Sequence, residues 1–124
     1  MGEHHASRRA RLGDVLAQRE LDAAFVTDLV NVRYLTGFTG SNGAVCARSD
    51  GTATLVTDGR YRDQSAREAP DVERVIDRDL LGAMAALLEG DAAVGLETHD
   101  LSVDAHADLV GRLDERGIAS TSVG

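Results

Sequence analysis

The run Glu97-Thr98-His99-Asp100, followed by Asp104, His106 and Asp108, is the densest collection of side chains able to ligate a metal ion. Imidazole and carboxylate donors converging from short segments are what such sites use. The expected local structure argues against that chemistry. A helix capped by Ser102 puts Asp104 and Asp108 on one face and turns His106 away from them. Asp104 also falls in the first turn, where the helix dipole already favours a carboxylate. The run therefore reads as structural. Cys46, between Val45 and Ala47, reads as a small buried hydrophobe and not as a nucleophile. Ser41 stands in Thr39-Gly40-Ser41-Asn42-Gly43, which lacks the Gly-x-Ser-x-Gly of a nucleophile elbow. Gly37, Gly40 and Gly43 fall three apart and do not make Gly-x-Gly-x-x-Gly. With no lysine anywhere, a phosphate-binding Lys is excluded. No catalytic residue and no metal ligand is expected on this chain.

The stretch that concentrates recognition chemistry is Asn31 to Gly43. Two of the four aromatics in the chain, Tyr34 and Phe38, lie there with Arg33 and the hydrogen-bonding side chains of Asn31, Ser41 and Asn42. A second Arg-Tyr pair closes Thr57-Asp58-Gly59-Arg60-Tyr61 at the end of a strand. Strand ends and glycine loops are where α/β folds place binding surfaces. For Tyr34 and Phe38 two readings stand, core packing or surface contact; Arg33 either pairs with an acid or meets a ligand. Asp58, Gly59, Arg60 and Tyr61 read as a structural turn with an ion pair.

These segments need elements to hold them. Helical spacing over Arg8–Arg19 puts Leu12, Val15 and Leu16 on one face, with Ser7 as the expected N-cap. Leu21–Thr27 is a short apolar run suited to a buried strand, and Leu29–Leu35 makes one or two helical turns. Ala44–Ala47 and Thr52–Thr57 flank Ser49-Asp50-Gly51, a hairpin signal. Arg60–Glu68 reads as a helix that stops before Pro70, and Val72–Ile76 as a strand. Asp79 caps Leu80–Leu88, whose Leu81, Met84, Ala85 and Leu88 share a face, with Gly90 as the stop. Ala92–Leu96 is a strand. Ser102 begins a helix through Arg116 with Leu109, Val110 and Leu113 inward and Gly117 closing it. Ile118–Val123 is the last strand. The order α-β-α-β-β-α-β-α-β-α-β predicts an α/β fold: a mixed β-sheet flanked by helices.

Composition narrows the partners. The 124 residues suit one domain, and 43% apolar with 27% charged residues is the balance of a folded soluble chain. Thirteen arginines against 21 acids give a net charge of −8, a field that repels phosphate backbones, so nucleic acid is not an expected partner. Arg8, Arg9 and Arg11 read as a solvated first helical turn, and His4 and His5 as exposed tail residues. No apolar run spans a membrane and no secretory h-region opens the chain. A single cysteine fits a reducing, cytoplasmic compartment. Nothing marks Gly124 as a natural end.

The motifs together resemble a known family. NVRYLTGFTGSNG (Asn31–Gly43), TLVTDGRY (Thr54–Tyr61), the following Gln64 and Ala66, RLGDVLAQRELDAAFVT (Arg11–Thr27) and AAVGLETHDLSV (Ala92–Val103) are similar to the N-terminal domain of the creatinase/prolidase/Xaa-Pro aminopeptidase family. The resemblance runs along nearly the whole chain. It implies a ribonuclease-H-like α/β domain and places the chemistry elsewhere. In that family a C-terminal pita-bread domain binds two divalent metal ions (Mn, Co or Zn type) through two aspartates, a histidine and two glutamates. A metal-bridging water there attacks the bond preceding proline. This sequence ends before such a domain, and no residue here matches one of those ligands.

The resemblance further implies two partners, the chain's own C-terminal catalytic domain and a second subunit whose active-site mouth the loops border. The matching stretch is Asn31 to Asn42, with Arg33, Tyr34 and Phe38 as the foremost contacts. The expected function is that of a non-catalytic domain of a Xaa-Pro aminopeptidase or dipeptidase, serving assembly and access and inactive by itself. The alternatives are the corresponding domain of a creatinase-like amidinohydrolase, or a stand-alone interaction or small-molecule-binding domain.

Overall fold

The computed structural model describes residues 2–88 and 92–123. Helices α1 (Gly2–Gln18), α2 (Leu29–Thr36), α3 (Arg62–Glu68), α4 (Leu80–Ala85) and α5 (Val103–Glu115) alternate with strands β1 (Ala23–Val26), β2 (Gly43–Arg48), β3 (Ala53–Thr57), β4 (Glu73–Ile76), β5 (Ala93–Glu97) and β6 (Ala119–Val123). The element order is the one that the helical spacing, apolar runs and turn signals predict. The six strands form one mixed sheet in the order β4-β3-β2-β1-β5-β6. β2 pairs antiparallel with β1 and with β3, whereas β1–β5, β3–β4 and β5–β6 are parallel.

Both faces of the sheet are covered, which is why its central strands are apolar without alternation. Phe25, Cys46, Val56, Val94 and Leu96 point to one face, where Met84 and Ala85 of α4 and Leu109 and Leu113 of α5 seal them. Val26, Val45, Ala47 and Leu55 point to the other, under Val32 and Leu35 of α2 and beside Phe38. The hairpin turn forms at the expected place: Asp50 accepts from the Thr52 N–H and hydroxyl, and Gly51 takes φ +88°. Ser102 caps α5 by accepting from the Ala105 N–H at 3.0 Å, and Asp79 accepts from the Gly82 N–H.

Four local expectations are corrected. First, α1 starts at Gly2 and runs through Ser7, so Ser7 is not its N-cap and His4 and His5 are helical. Second, Arg8 and Arg9 are not part of a solvated turn. The Arg9 guanidinium is buried, donating to the Leu35 carbonyl at 2.8 Å and to Asp71 at 2.6 Å, and Arg8 donates to the Tyr34 carbonyl at 3.0 Å. The last carbonyls of α2 lack intrahelical partners, and these arginines supply the missing donors. Third, the Arg60–Glu68 helix opens with a 3-10 turn over Gly59–Tyr61. Fourth, α4 ends at Ala85 instead of Leu88, and the Gly90 stop lies outside the described residues.

Gly13 in mid-α1 has a packing reason. A Cβ there would meet backbone atoms of the β2–β3 turn, the Gly51 nitrogen at 2.9 Å and the Ser49 oxygen at 3.0 Å. The helix crosses the hairpin at a separation only glycine permits.

Candidate functional site

The recognition stretch is built from α2 and the loop after it. Asp28 caps α2 by accepting from the Val30 N–H at 3.0 Å, and Gly37 ends it in the left-handed conformation, φ +85°. What anchors the start of α2 is Glu97 at the end of β5. One of its oxygens accepts from the Thr27 and Asp28 N–H groups at 2.7 and 3.0 Å, and the other from the Asn31 amide at 2.7 Å. Asn31 is therefore held inward by Glu97. His99 Nε2 lies 3.2 Å from the Asp28 carboxylate at the rim of the same junction.

Arg33 and Tyr34 emerge on the outer side of α2. Arg33 is exposed and forms no ion pair among the described residues. Tyr34 is 50% exposed, with the Arg8 guanidinium 4.2 Å above its ring. Phe38 goes the other way: it is 1% exposed and meets the Tyr61 ring edge-on at a centroid distance of 5.5 Å. Of the two readings open for these aromatics, Phe38 is core and Tyr34 is surface.

The glycine loop and the Asp58–Tyr61 turn, two separate motifs in the sequence, form one bonded unit. The Asn42 amide donates to Asp58 at 2.7 Å, and the Thr57 hydroxyl donates to the Asn42 carbonyl at 2.6 Å. The Ser41 N–H donates to the Tyr61 hydroxyl at 3.2 Å, and the two hydroxyls are 2.5 Å apart. Arg60 donates to Asp58 from its backbone, Nε and Nη2 at 2.9–3.0 Å. The Arg60 side-chain bonds, then the Asn42 bond, hold the Asp58 carboxyl well below the usual carboxylate range. The Ser41 bonds lower the Tyr61 hydroxyl. Gly40 and Gly43 are required because the Phe38 ring occupies the space of their absent Cβ atoms. On the far side, Thr39 donates to Glu68 of α3 through its N–H at 2.9 Å and its hydroxyl at 2.8 Å.

Asp58, Gly59, Arg60 and Tyr61 form a turn closed by the Asp58–Arg60 ion pair at 2.9 Å. Ser41, Asn42, Asp58 and Tyr61 are committed to one another, so the loop is rigid while Arg33, Tyr34 and the outer edge of Arg60 face outward. Among the described residues the Ser41 hydroxyl pairs with the Tyr61 hydroxyl and with no base. Burial pushes the Cys46 thiol up to about 11, which keeps it protonated and unreactive. Among the described residues no group of three or more His, Cys, Asp or Glu side chains is arranged to hold a metal ion.

Glu97, Arg8 and Arg9 are the positioning residues that sequence reasoning missed. The one signal for Glu97 was an acid ending an apolar run, a place where a buried carboxylate needs donors. For the arginines there was none, because their partners lie 26 and 62 positions away.

The family model described as the Creatinase/Prolidase N-terminal domain matches residues 8–123. The N-terminal domain of the cytoplasmic peptidase PepQ from Mycobacterium tuberculosis H37Rv is 39% identical, with a TM-score of 0.86 over 95% of this chain and 93% of that one. An Xaa-Pro aminopeptidase structure from Streptococcus pyogenes is 27% identical, with a TM-score of 0.85 over 98% of this chain and 95% of that one. An uncharacterized peptidase, YqhT of Bacillus subtilis (strain 168), is 40% identical over 55 residues, 44% of this chain and 15% of its own length. The matched stretch is thus a small part of that relative.

Proposed function

Because this chain belongs to the creatinase/prolidase N-terminal domain family, we propose that it is the non-catalytic N-terminal domain of a cytoplasmic Xaa-Pro aminopeptidase or dipeptidase, and that it serves subunit assembly and access to the active site. In this reading the two divalent metal ions and the hydrolytic chemistry belong to a C-terminal domain of the parent enzyme. The domain's part is to hold the Asn31–Asn42 stretch at an active-site mouth, that of a second subunit. The observation that carries the proposal is the division of labour within that stretch. Phe38, Ser41 and Asn42 are bound inward to Tyr61 and Asp58, while Arg33 and Tyr34 stand exposed on the same rigid segment. A guanidinium without an internal partner can take a substrate carboxylate by charge-assisted bonding, and an aromatic beside it can limit substrate length.

The test uses the full-length enzyme. Arg33→Ala and Tyr34→Ala should raise KM and alter the preference between dipeptides and longer Xaa-Pro peptides, with kcat nearly unchanged. Hydrolysis of creatine in place of proline peptides would assign the parent to the amidinohydrolases. Chelator-sensitive turnover by the purified 124-residue chain would overturn the non-catalytic assignment.

A further inference from the structure

A second site adjoins the inner side of that stretch, between α1 and the sheet, with Asn31 and Tyr34 at its border. Arg8, Arg11, Leu12, Val15, Leu16 and Arg19 recur at the spacing of one helical face. Opposite them, Ala24 and Val26 of β1, Leu35 of α2 and Val123 of β6 line a half-open trough of about 390 Å³. The volume falls in the range of small-molecule sites. Its walls are mostly aliphatic, and Val15 on the rim is 44% exposed.

The rim carries the specificity. The Arg11 and Arg19 side chains form no hydrogen bond or ion pair among the described residues, which leaves both guanidiniums open to a ligand. Arg8 offers the trough a third guanidinium, committed by one nitrogen to the Tyr34 carbonyl. Glu97 closes one end, but its carboxylate accepts three donors within 3.0 Å and its side chain is 9% exposed, so it presents little charge to the cavity. The result is an apolar trough with a cationic rim on an acidic protein. A guanidinium's planar fork matches a carboxylate, and an aliphatic floor matches a chain.

We propose that this trough binds a small amphiphilic anion, an apolar body carrying one carboxylate. The head would sit between Arg11 and Arg19 and the body over Leu12, Leu16, Ala24 and Val26. Asn31 and Tyr34 border both sites, but the head and body contacts proposed here, Arg11, Arg19, Leu12, Leu16, Ala24 and Val26, play no part in the peptidase reading, so each can fail without the other.

Octanoate is the probe, titrated into the ¹⁵N-labelled chain. Saturable shifts are expected at Leu12, Val15, Leu16, Ala24 and Val123. Acetate, which lacks the body, and octyltrimethylammonium, which reverses the charge, should each bind at least about tenfold more weakly. Arg11→Gln with Arg19→Gln should weaken octanoate by about tenfold while leaving the rest of the spectrum unchanged. If that variant unfolds, the comparison of octanoate with the ammonium analogue on the wild-type chain still decides. Absence of saturation at about 10 mM octanoate would overturn the proposal. So would equal binding of the cationic analogue, or shifts from an acidic peptide without apolar residues where octanoate gives none.

Discussion

Replacing Arg9 by methionine separates a structural arginine from a solvated one. Methionine keeps most of the apolar stem and removes the guanidinium. Two bonds disappear, one to the buried Leu35 carbonyl at 2.8 Å and one to Asp71 at 2.6 Å. An orphaned buried carbonyl costs about 1–3 kcal/mol. The Asp71 side chain is 35% exposed, so water replaces much of the second bond and its loss adds about 0.5–1 kcal/mol. The expected sum is about 1.5–4 kcal/mol. For 124 residues, at about 2.1 cal/mol/K each, the unfolding entropy is roughly 260 cal/mol/K, so each kcal/mol moves Tm by about 4 °C. Arg9→Met should therefore melt about 6–16 °C below wild type by calorimetry at neutral pH.

The pH dependence provides an internal check. Burial alone would raise the Asp71 carboxyl, but the Arg9 bond and charge outweigh it and hold the carboxyl below its ordinary value. A depressed folded-state value means that the contribution is complete above the ordinary aspartate range and is lost as pH falls through the lowered one. The gap between wild type and Arg9→Met should narrow in strong acid to the part owed to Leu35. A loss under about 2 °C at neutral pH, the scatter of surface substitutions, would refute the assignment of Arg9 as a buried strut.

Other outcomes follow from the same geometry. Glu97→Ala leaves the Thr27 and Asp28 N–H groups without their acceptor and should cost about 2–4 kcal/mol by urea unfolding, with amide shifts centred on α2. Arg60→Gln should raise the Asp58 carboxyl toward the ordinary range, read by ¹³C titration; because the native value is depressed, its contribution is lost as pH falls, so the stability gap between wild type and variant should narrow in acid. Cys46 should resist iodoacetamide at pH 8 in the folded chain and label rapidly in urea; rapid labelling of the native state would contradict its burial.

What could be read from the sequence divides by distance along the chain. The element order was legible because the helices carry a 3.6-residue period and the strands are short apolar runs, and because Asp50-Gly51 and Ser102 act on residues within three positions. The opposite fates of Tyr34 and Phe38 were not legible. Both are aromatic and four residues apart, and only the left-handed turn at Gly37 sends one outward and the other under the loop. The inward roles of Arg8 and Arg9 were missed because their acceptors, the Tyr34 and Leu35 carbonyls, belong to another helix. Likewise the bonding of Asn42 and Ser41 to the Asp58 turn joins residues 16 and 20 apart, which no local pattern encodes.

The sheet order has a consequence for biosynthesis. Ala23 of β1 pairs on one side with Arg48 and on the other with Val94. The four strands through Ile76 are contiguous in the chain and can assemble as they leave the ribosome, but the second edge of β1 has no partner until β5 ends at Glu97. At translation rates of about 5–20 residues per second, those 21 residues keep that edge open for about one to four seconds. During this interval Ala23, Ala24, Phe25 and Val26 form an unpaired apolar strand, the kind of edge that recruits neighbouring chains. Slow codons between Ile76 and Glu97 would lengthen that window, so aggregation during expression should track translation speed in this segment more than the stability of the finished domain.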